Sequence, residues 1–344
     1  MAAERLEDIA ARLVAPGKGI LAADESNSTC TKRFEALGIP STPDTRRDYR
    51  ELFFRADEAM RNFVSGVILY DETIRQKAKD GTPLVKVISA TGSIPGIKVD
   101  AGTKPLALQP GEVITEGLDG LRDRLKEYYE MGARFAKWRA VINIGPGMPS
   151  ANAIHANAHA LARYAALCQE AMIVPIVEPE VLMDGAGATH DADTCYAATE
   201  KTLRAVFDEL RLANINLRGI VLKPSMVIAA KNSPKQISSK QVAEKTVQLL
   251  KAVVPAEVPG IAFLSGGQSD QQATENLSLM NEADKLPWRL TFSYGRALQQ
   301  AAMKAWAGKA ENAAAAQKAF LHRVRMNSLA ASGRWAPDLE KQAA

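Results

Sequence analysis

The sequence predicts a single-domain (β/α)8 TIM barrel, on three observations. Eight short, apolar, β-rich segments alternate with longer helical segments, and such alternation favours parallel strands joined by helices. Polar residues cluster where the predicted strands end, which in a barrel is the mouth that carries active sites. The length of 344 residues suits one large domain, which we assign to residues 1–344. An open, doubly wound sheet is the structural alternative, because alternation alone does not exclude it.

The individual elements follow from local patterns. In chain order the predicted strands are GILAAD, SGVILY, GIKVD, RFAKWRA, IVPIVEP, GIVLKP, GIAFLSGG and RLTFSYG. Residues 1–17 predict a short amphipathic helix rather than a signal peptide, and the Ala-rich segment 310–331 predicts a C-terminal helix. Among helix starts, Thr42 precedes a proline, and Ser238 and Ser269 each begin the Ser-x-x-Gln form of a capping box.

Composition excludes several classes of protein. The formal net charge of +4 is too mild to indicate nucleic acid, and no apolar run reaches the roughly 18 residues of a membrane span. The three cysteines, Cys30, Cys168 and Cys195, are odd in number and far apart in the chain. A disulfide framework is therefore not expected, and a reducing cytoplasm is the predicted compartment.

Lys223 is the candidate for a nucleophilic lysine. It follows the apolar run Gly-Ile-Val-Leu and precedes a proline, which holds it extended at a strand end. A lysine amine attacks a carbonyl only when neutral, and burial or a neighbouring cation such as Lys137 or Arg139 lowers its pKa from about 10.4. The sequence thus predicts a Schiff-base lysine, with Glu178 or Glu180 as the acid/base that removes water from the carbinolamine.

The segment FLSGGQS raises the question of an ATPase, because LSGGQ is also a signature of ATP-binding-cassette ATPases. An ATPase would need a P-loop, Gly-x-x-x-x-Gly-Lys-Ser/Thr, and the nearest match, GSIPGIK at 92–98, has the wrong spacing and no following hydroxyl.

The same segment predicts a phosphate-binding site. Gly266 and Gly267 precede a helix N-terminus and can turn their backbone amides toward an anion. The loops after the seventh and eighth strands of such barrels often bind phosphate, so Ser265 and Arg296 complete the predicted site.

A metal site is not predicted. His155 and His159 in HANAH share one helix face, as zinc ligands do, but the inner glutamate of His-Glu-x-x-His is missing. We interpret both histidines as surface or packing residues and expect no metal and no other cofactor.

Taken in order, the motifs resemble those of class I fructose-1,6-bisphosphate aldolases. The motifs are KGILAADES, SGVILYDET, GIKVD, FAKWR, IVPIVEPE, LKPSM, FLSGGQS and LTFSYGRALQ, and MKAWAGK and NSLA extend them to Ala330. The resemblance implies reversible cleavage of fructose 1,6-bisphosphate to dihydroxyacetone phosphate and glyceraldehyde 3-phosphate, in glycolysis and gluconeogenesis. It also implies a metal-free homotetramer in the cytoplasm, with a plastid-type compartment left open, and no nucleic-acid or membrane partner.

The resemblance also assigns roles. It implies that Lys223 forms the imine, that Glu178 is the acid/base for dehydration and that Asp24 takes the proton of the C4 hydroxyl. Lys137 is implied as the cationic partner of Lys223, and Glu180 as a residue that orders this network. The implied phosphate ligands are Ser265, Gly266 and Arg296 for the phosphate on C1, and Arg33, Lys98 and Arg139 near the other end.

Three departures from the family's motifs modify these expectations. Asn27, Ser28 and Thr29 stand where Thr-Gly-Ser is common, and Ala101 replaces a lysine near the second phosphate. Well-known members end in a tyrosine that assists proton transfer, whereas the last tyrosine here is Tyr294. We therefore expect slower proton exchange at C3, or another group that serves it, and a shifted preference between bisphosphate and monophosphate.

Three alternatives stay open at this point. A broader aldolase would also cleave sedoheptulose 1,7-bisphosphate. A phosphosugar isomerase on the same barrel would tolerate Lys223→Met, because it needs no imine. A non-catalytic sugar-phosphate-binding protein would bind its ligand without turnover.

Overall fold

The strands of the computed structural model, which describes residues 4–184, 187–283 and 285–343, form one barrel and one hairpin. In chain order they are β1 (Gly19–Ala23), β2 (Val64–Leu69), β3 (Ile94–Lys98), β4 (Thr103–Pro105), β5 (Val113–Thr115), β6 (Phe135–Ile142), β7 (Val174–Val181), β8 (Val221–Leu222), β9 (Gly260–Phe263) and β10 (Arg289–Tyr294).

The helices lie between and after the strands. They are α1 (Leu6–Leu13), α2 (Asn27–Glu35), α3 (Pro43–Phe54), α4 (Asp57–Phe63), α5 (Asp71–Arg75), α6 (Leu84–Ala90), α7 (Leu121–Met131), α8 (Ala151–Glu170), α9 (Ala192–Leu212), α10 (Ser239–Val253), α11 (Asp270–Asn281), α12 (Arg296–Trp306) and α13 (Ala313–Ala330). Short 3-10 turns cover 217–219, 310–312 and 337–343. No helix in the described ranges is long and apolar enough to cross a membrane.

The parallel strands close on themselves. β1, β2, β3, β6, β7, β8, β9 and β10 are paired in that order, and β10 pairs again with β1. The predicted (β/α)8 barrel is confirmed, and the open doubly wound sheet is wrong, because closure leaves no edge strand. β4 and β5 form a separate antiparallel hairpin after β3, which the sequence analysis did not predict.

The predicted strands form where expected, with differences in length. β8 contains only Val221–Leu222, although the Lys223 amide still donates to the carbonyl of Val177 at 2.8 Å. β3 begins two residues earlier than the predicted segment GIKVD and ends at Lys98.

The predicted helix starts are present. Ser238 caps α10 with a complete capping box, and Thr42 caps α3 with Thr45 as its reciprocal partner. Ser269 caps α11 by accepting the amide of Gln272, but the Gln272 side chain does not return the bond.

The amphipathic N-terminal helix closes the floor of the barrel. α1 buries Ile9 and Leu13 completely, in one apolar cluster with Phe135 and other inward-facing residues of the strands. The polar mouth therefore lies at the opposite end of the barrel, at the C-terminal ends of the strands.

The strand register fixes which inward side chains share a level. Followed around the barrel, the paired residues return to the starting strand displaced by eight positions, the shear expected for this architecture. Such a shear stacks inward side chains of alternate strands in layers of four. One layer, to which β2, β6, β10 and the residue after β8 contribute, holds Ile68, Lys137, Lys223 and Ser293.

Candidate active site

Two buried lysines share one carboxylate at the barrel mouth. The Glu178 Oε1 atom lies 3.1 Å from Lys223 Nζ, and its Oε2 atom lies 3.2 Å from Lys137 Nζ. All three side chains are 4–5 % exposed. This arrangement follows from the strands, because Lys137 on β6 and Lys223 after β8 flank Glu178 on β7. The predicted acid/base residue is thus within proton-transfer distance of the predicted nucleophile.

Asp24 extends the network on the other side of Lys137. Its Oδ2 atom lies 2.8 Å from Lys137 Nζ. Burial alone would raise the pKa of the Asp24 carboxyl, but the charges of Lys137 and Lys223 outweigh it and lower the pKa to about 2. Burial would lower the pKa of the Lys137 ammonium, yet Asp24 and Glu178 raise it well above its ordinary value. At neutral pH Asp24 is therefore a carboxylate and Lys137 a cation.

Arg139 and Glu180 form a second pair on the same two strands. The Arg139 guanidinium donates to the Glu180 carboxylate, which is buried while the arginine is partly exposed. Burial opposes the charge on Arg139, but Glu180 raises the pKa of the guanidinium further. Lys137 and Arg139 share a face of β6, and they contact Glu178 and Glu180 on β7, respectively.

The predicted phosphate loop lies beside Lys223. The Leu264 amide donates to the carbonyl of Pro224 at 3.3 Å, which places the end of β9 against the residue after the lysine. Of the two glycines, Gly267 has φ +77° and would place a Cβ atom 2.7 Å from Met183 Cβ. Gly266 has no such φ, so the positive-φ glycine of the loop is Gly267, although the sequence analysis assigned binding to Gly266.

Arg296 begins α12 immediately after β10. Its side chain is exposed and lines one pocket with Arg33, and it makes no ion pair or hydrogen bond within the part of the chain that the structure describes. A guanidinium at a helix N-terminus favours an incoming anion.

A cavity of about 590 Å³ opens on the opposite side of the mouth. It is bounded by Asp24 and by the three cations predicted for the far end of the substrate, Arg33, Lys98 and Arg139. Ser26 and Thr29 at the start of α2 also line it, together with Ala101. The predicted far-end residues are thus brought together.

Ser293 is a candidate site residue that the sequence analysis missed. It is 1 % exposed, its Oγ atom makes no hydrogen bond to any described residue, and it lies in the same layer as Lys137 and Lys223. Charge at the strand ends marks the other candidate residues, but a hydroxyl inside RLTFSY carries no charge and is not marked in this way. The available signal was alternation, since Thr291 and Ser293 are polar between apolar neighbours.

The histidine pair lies outside the site. His155 and His159 are exposed on α8, and both Nδ1 atoms face the Glu209 carboxylate, at 3.3 and 3.0 Å. The described residues contain no group of three or more His, Cys, Asp or Glu side chains that could hold a metal ion.

A closed parallel barrel whose mouth holds two lysines on one carboxylate defines the class as a barrel enzyme equipped for carbonyl chemistry. Comparison with known proteins narrows this class. The profile of the glycolytic class-I fructose-bisphosphate aldolases matches residues 5–344. The chain belongs to the class-I fructose-bisphosphate aldolase family, and its members are lyases.

Similar proteins in bacteria and plants support this family assignment. A probable fructose-bisphosphate aldolase class 1 of Xanthomonas campestris pv. campestris is 56% identical over 97% of this chain and 99% of that protein. The cytosolic fructose-bisphosphate aldolase 6 of Arabidopsis thaliana is 51% identical over 98% of this chain and 93% of its own length.

A solved structure also matches. Fructose-bisphosphate aldolase from Plasmodium falciparum, crystallised with TRAP and a small-molecule inhibitor, has 45% identity and a TM-score of 0.94. The match covers 97% of this chain and 96% of that one.

Proposed function

We propose that the chain cleaves fructose 1,6-bisphosphate reversibly through an imine on Lys223. The observation that carries this proposal is the buried Glu178 carboxylate, 3.1 Å from Lys223 Nζ and 3.2 Å from Lys137 Nζ. A carboxylate so close can accept the proton that Lys223 must lose before it attacks a carbonyl. Lys137 keeps its own proton, because Asp24 and Glu178 hold it as a cation.

The reaction then proceeds in balanced steps. Lys223 Nζ adds to the C2 carbonyl, and Glu178 protonates the carbinolamine hydroxyl, which leaves as water. The resulting iminium draws the electron pair of the C3–C4 bond to nitrogen, while Asp24 takes the proton of the C4 hydroxyl and glyceraldehyde 3-phosphate leaves. The enamine takes a proton from water at C3, Asp24 returns its proton to solvent, and hydrolysis of the imine releases dihydroxyacetone phosphate and regenerates the lysine amine.

The substrate is held by its two phosphates. Ser265 and the loop amides at Gly266 receive the C1 phosphate together with Arg296, which makes no ion pair in the described part of the chain. The opposite cavity receives the other phosphate, near Arg33, Lys98 and Arg139. Glu180 serves as a positioning residue, since it fixes Arg139 on the neighbouring strand.

Ser293 provides a further contact. Its unpaired hydroxyl lies in the layer of Lys137 and Lys223, and a substrate oxygen near C2 satisfies it.

Turnover of the bisphosphate tests the proposal. Wild type should cleave fructose 1,6-bisphosphate in a coupled assay with and without chelator, and Lys223→Met should lose about six orders of magnitude in kcat, the size of loss known for a removed nucleophile. A chelator-sensitive activity, or one that survives in Lys223→Met, contradicts it.

We further propose a cytoplasmic homotetramer in which residues 1–344 act as one domain. The free, buried cysteines fit a reducing compartment, and the Arabidopsis relative is named cytosolic. Light scattering after gel filtration measures the oligomer directly, and a monomeric mass contradicts this proposal.

A further inference from the structure

The two ends of the site differ in how their cations are already engaged. Arg296, which we assign to the C1 end, makes no ion pair within the described residues, although it interacts with the charge of Asp270 at longer range and lines one pocket with Arg33. At the far end each cation already has a carboxylate partner: Lys98 with Asp100 at 2.7 Å, Arg139 with Glu180, and Arg33 with Glu25 at 2.5 Å.

A second phosphate must therefore compete with protein carboxylates. A cation whose charge is already neutralised attracts an incoming anion less, and the displaced carboxylate repels that anion unless it finds another partner. The far end of the site gains less from a phosphate than the number of its cations suggests.

The three pairs are not equally fixed. Asp100 also accepts the backbone amides of Gly102 and Arg139, at 3.1 and 3.3 Å, so its carboxylate is part of the loop structure. Glu180 is buried beside the phosphate loop, where its Oε1 atom would lie 3.4 Å from a Cβ atom at Gly266. Glu180 has no second cation within ion-pair distance among the described residues, and backbone amides hold Asp100 in place although Lys137 and Arg139 interact with its charge.

Glu25 is different, because it lies between two arginines. Its Oε1 atom accepts from Arg33, while its buried Oε2 atom accepts no hydrogen bond and lies 3.9 Å from Arg50 Nη2. Arg50 is 1 % exposed and donates to the backbone carbonyls of Ala23 and Glu25, and its Nη1 atom has no partner. An unused acceptor thus faces a buried guanidinium with an unused donor.

We propose that Glu25 is a specificity-determining residue that exchanges Arg33 for Arg50 when a phosphate binds at the far end. The inference rests on the proposed function, and it deepens that function by naming what sets the preference between bisphosphate and monophosphate. In the free protein the Glu25 carboxylate is paired with the Arg33 guanidinium. When a phosphate takes Arg33, the Glu25 carboxylate turns toward Arg50, which offers a partner without leaving the core.

The proposed exchange predicts how removal of the Glu25 charge changes the preference for the bisphosphate over the monophosphate. Because Glu25 competes with the second phosphate, Glu25→Gln should raise the ratio of kcat/KM for fructose 1,6-bisphosphate over fructose 1-phosphate by about two- to fivefold, the size expected for a partly exposed ion pair. The change should lie in KM for the bisphosphate. If Glu25 only orients Arg33, the same variant raises KM for the bisphosphate and lowers the ratio, which overturns the proposal.

Two further variants isolate the pair. Glu72→Gln removes the same charge from another ion-paired glutamate, which holds Arg46 at 2.6 Å, and should leave the ratio unchanged. In an Arg33→Gln background, Glu25→Gln should have no further effect on the ratio, because its action passes through Arg33. An equal change in that background, or in Glu72→Gln, shows a general charge effect and overturns the proposal.

The outcomes separate this inference from the proposed function. If wild type cleaves neither substrate, the proposed function fails and the ratio does not exist. If wild type cleaves both and the ratio stays constant or falls in Glu25→Gln, the aldolase function stands and only the role of Glu25 is wrong.

Discussion

Alternating charges determine how single residues behave at the barrel mouth. Acidic and basic side chains alternate from Asp24 through Lys137 and Glu178 to Lys223, in contacts of 3.2 Å or less. Within this network the nearby carboxylates keep Lys137 charged, and the nearby lysines keep Asp24 ionised.

Asp24 gives this network a signature in pH. Its carboxyl pKa, about 2 in the folded protein, lies below the ordinary value of about 3.9, so its contribution to stability is present above pH 4 and lost as the pH falls through about 2. We expect the free energy of unfolding of wild type to fall between pH 4 and 2, and Asp24→Asn to reduce that slope. Urea unfolding at several pH values measures this dependence. Equal slopes of unfolding free energy against pH in wild type and Asp24→Asn would contradict the lowered pKa of Asp24.

Substitution of Ser293 should change activity without lowering stability. Its hydroxyl has no protein partner, so Ser293→Ala should leave the melting temperature unchanged or raise it, while kcat/KM falls about three- to tenfold through a lost substrate hydrogen bond.

The matched control is on the same face of β10. Thr291 donates its hydroxyl to the Lys18 carbonyl at 2.6 Å, so Thr291→Val should lower stability and spare kcat/KM. An unchanged kcat/KM in Ser293→Ala would show that the hydroxyl does not reach the substrate.

Sequence alone could predict the charged residues because charge at the end of an apolar strand is an unusual pattern. Their partners could not be predicted in this way, since the pairing of Arg139 with Glu180 or of Arg33 with Glu25 depends on strand register and helix placement. Ser293 was not predicted from the sequence, because hydroxyl side chains are common in strands. Its hydroxyl becomes notable only once the structure shows it buried without a hydrogen-bond partner among the described residues.

At the scale of elements, the phosphate loop depends on one glycine. Gly267 has φ +77°, and a Cβ atom there would lie 2.9 Å from Ile228 Cδ1, so Gly267→Ala strains and displaces the loop. We expect Gly267→Ala to weaken dihydroxyacetone phosphate binding about tenfold or more, with imine formation on unphosphorylated dihydroxyacetone little changed.

Gly266→Ala is the comparison for this loop. A Cβ atom there meets Leu264 Cδ1 at 3.1 Å, a contact that a flexible side chain can relieve, so its loss of binding should be smaller. Calorimetric titration measures both variants, and a larger loss in Gly266→Ala contradicts this account of the loop.

Helix α1 stabilises the barrel from below. Leu13 is fully buried against the strands, so Leu13→Ala should lower the free energy of unfolding by about 2–5 kcal/mol without changing kcat of the folded enzyme. Leu212 on α9 is 77% exposed, and Leu212→Ala should be nearly neutral. Denaturant unfolding compares the two, and equal effects would show that α1 does not form the floor.

Element predictions succeeded where patterns were long and failed where they were short. The eight barrel strands and the capped starts of α3 and α10 follow from apolar runs and capping residues. The hairpin of β4 and β5 has three-residue strands with mostly exposed or half-buried side chains, so no alternation marks it. β8 contains only two residues, a length that its apolar run did not indicate.

At the scale of the whole molecule, closure of the sheet creates the site. The eight-residue shear brings Lys137, Lys223 and Ser293 from three separate strands into one layer, although 156 positions separate the first from the last in sequence. The alternation of strands and helices predicted the barrel, but only the closed register shows which inward residues meet.

The central claim is that Lys223, and not Lys137, forms the covalent intermediate, and borohydride trapping tests it most directly. The protein is incubated with dihydroxyacetone phosphate, reduced with borohydride and mapped by peptide mass spectrometry. We predict one reduced adduct, on Lys223, formed equally with and without chelator. An adduct on Lys137, or no adduct at all in a protein that cleaves the bisphosphate, would contradict the account.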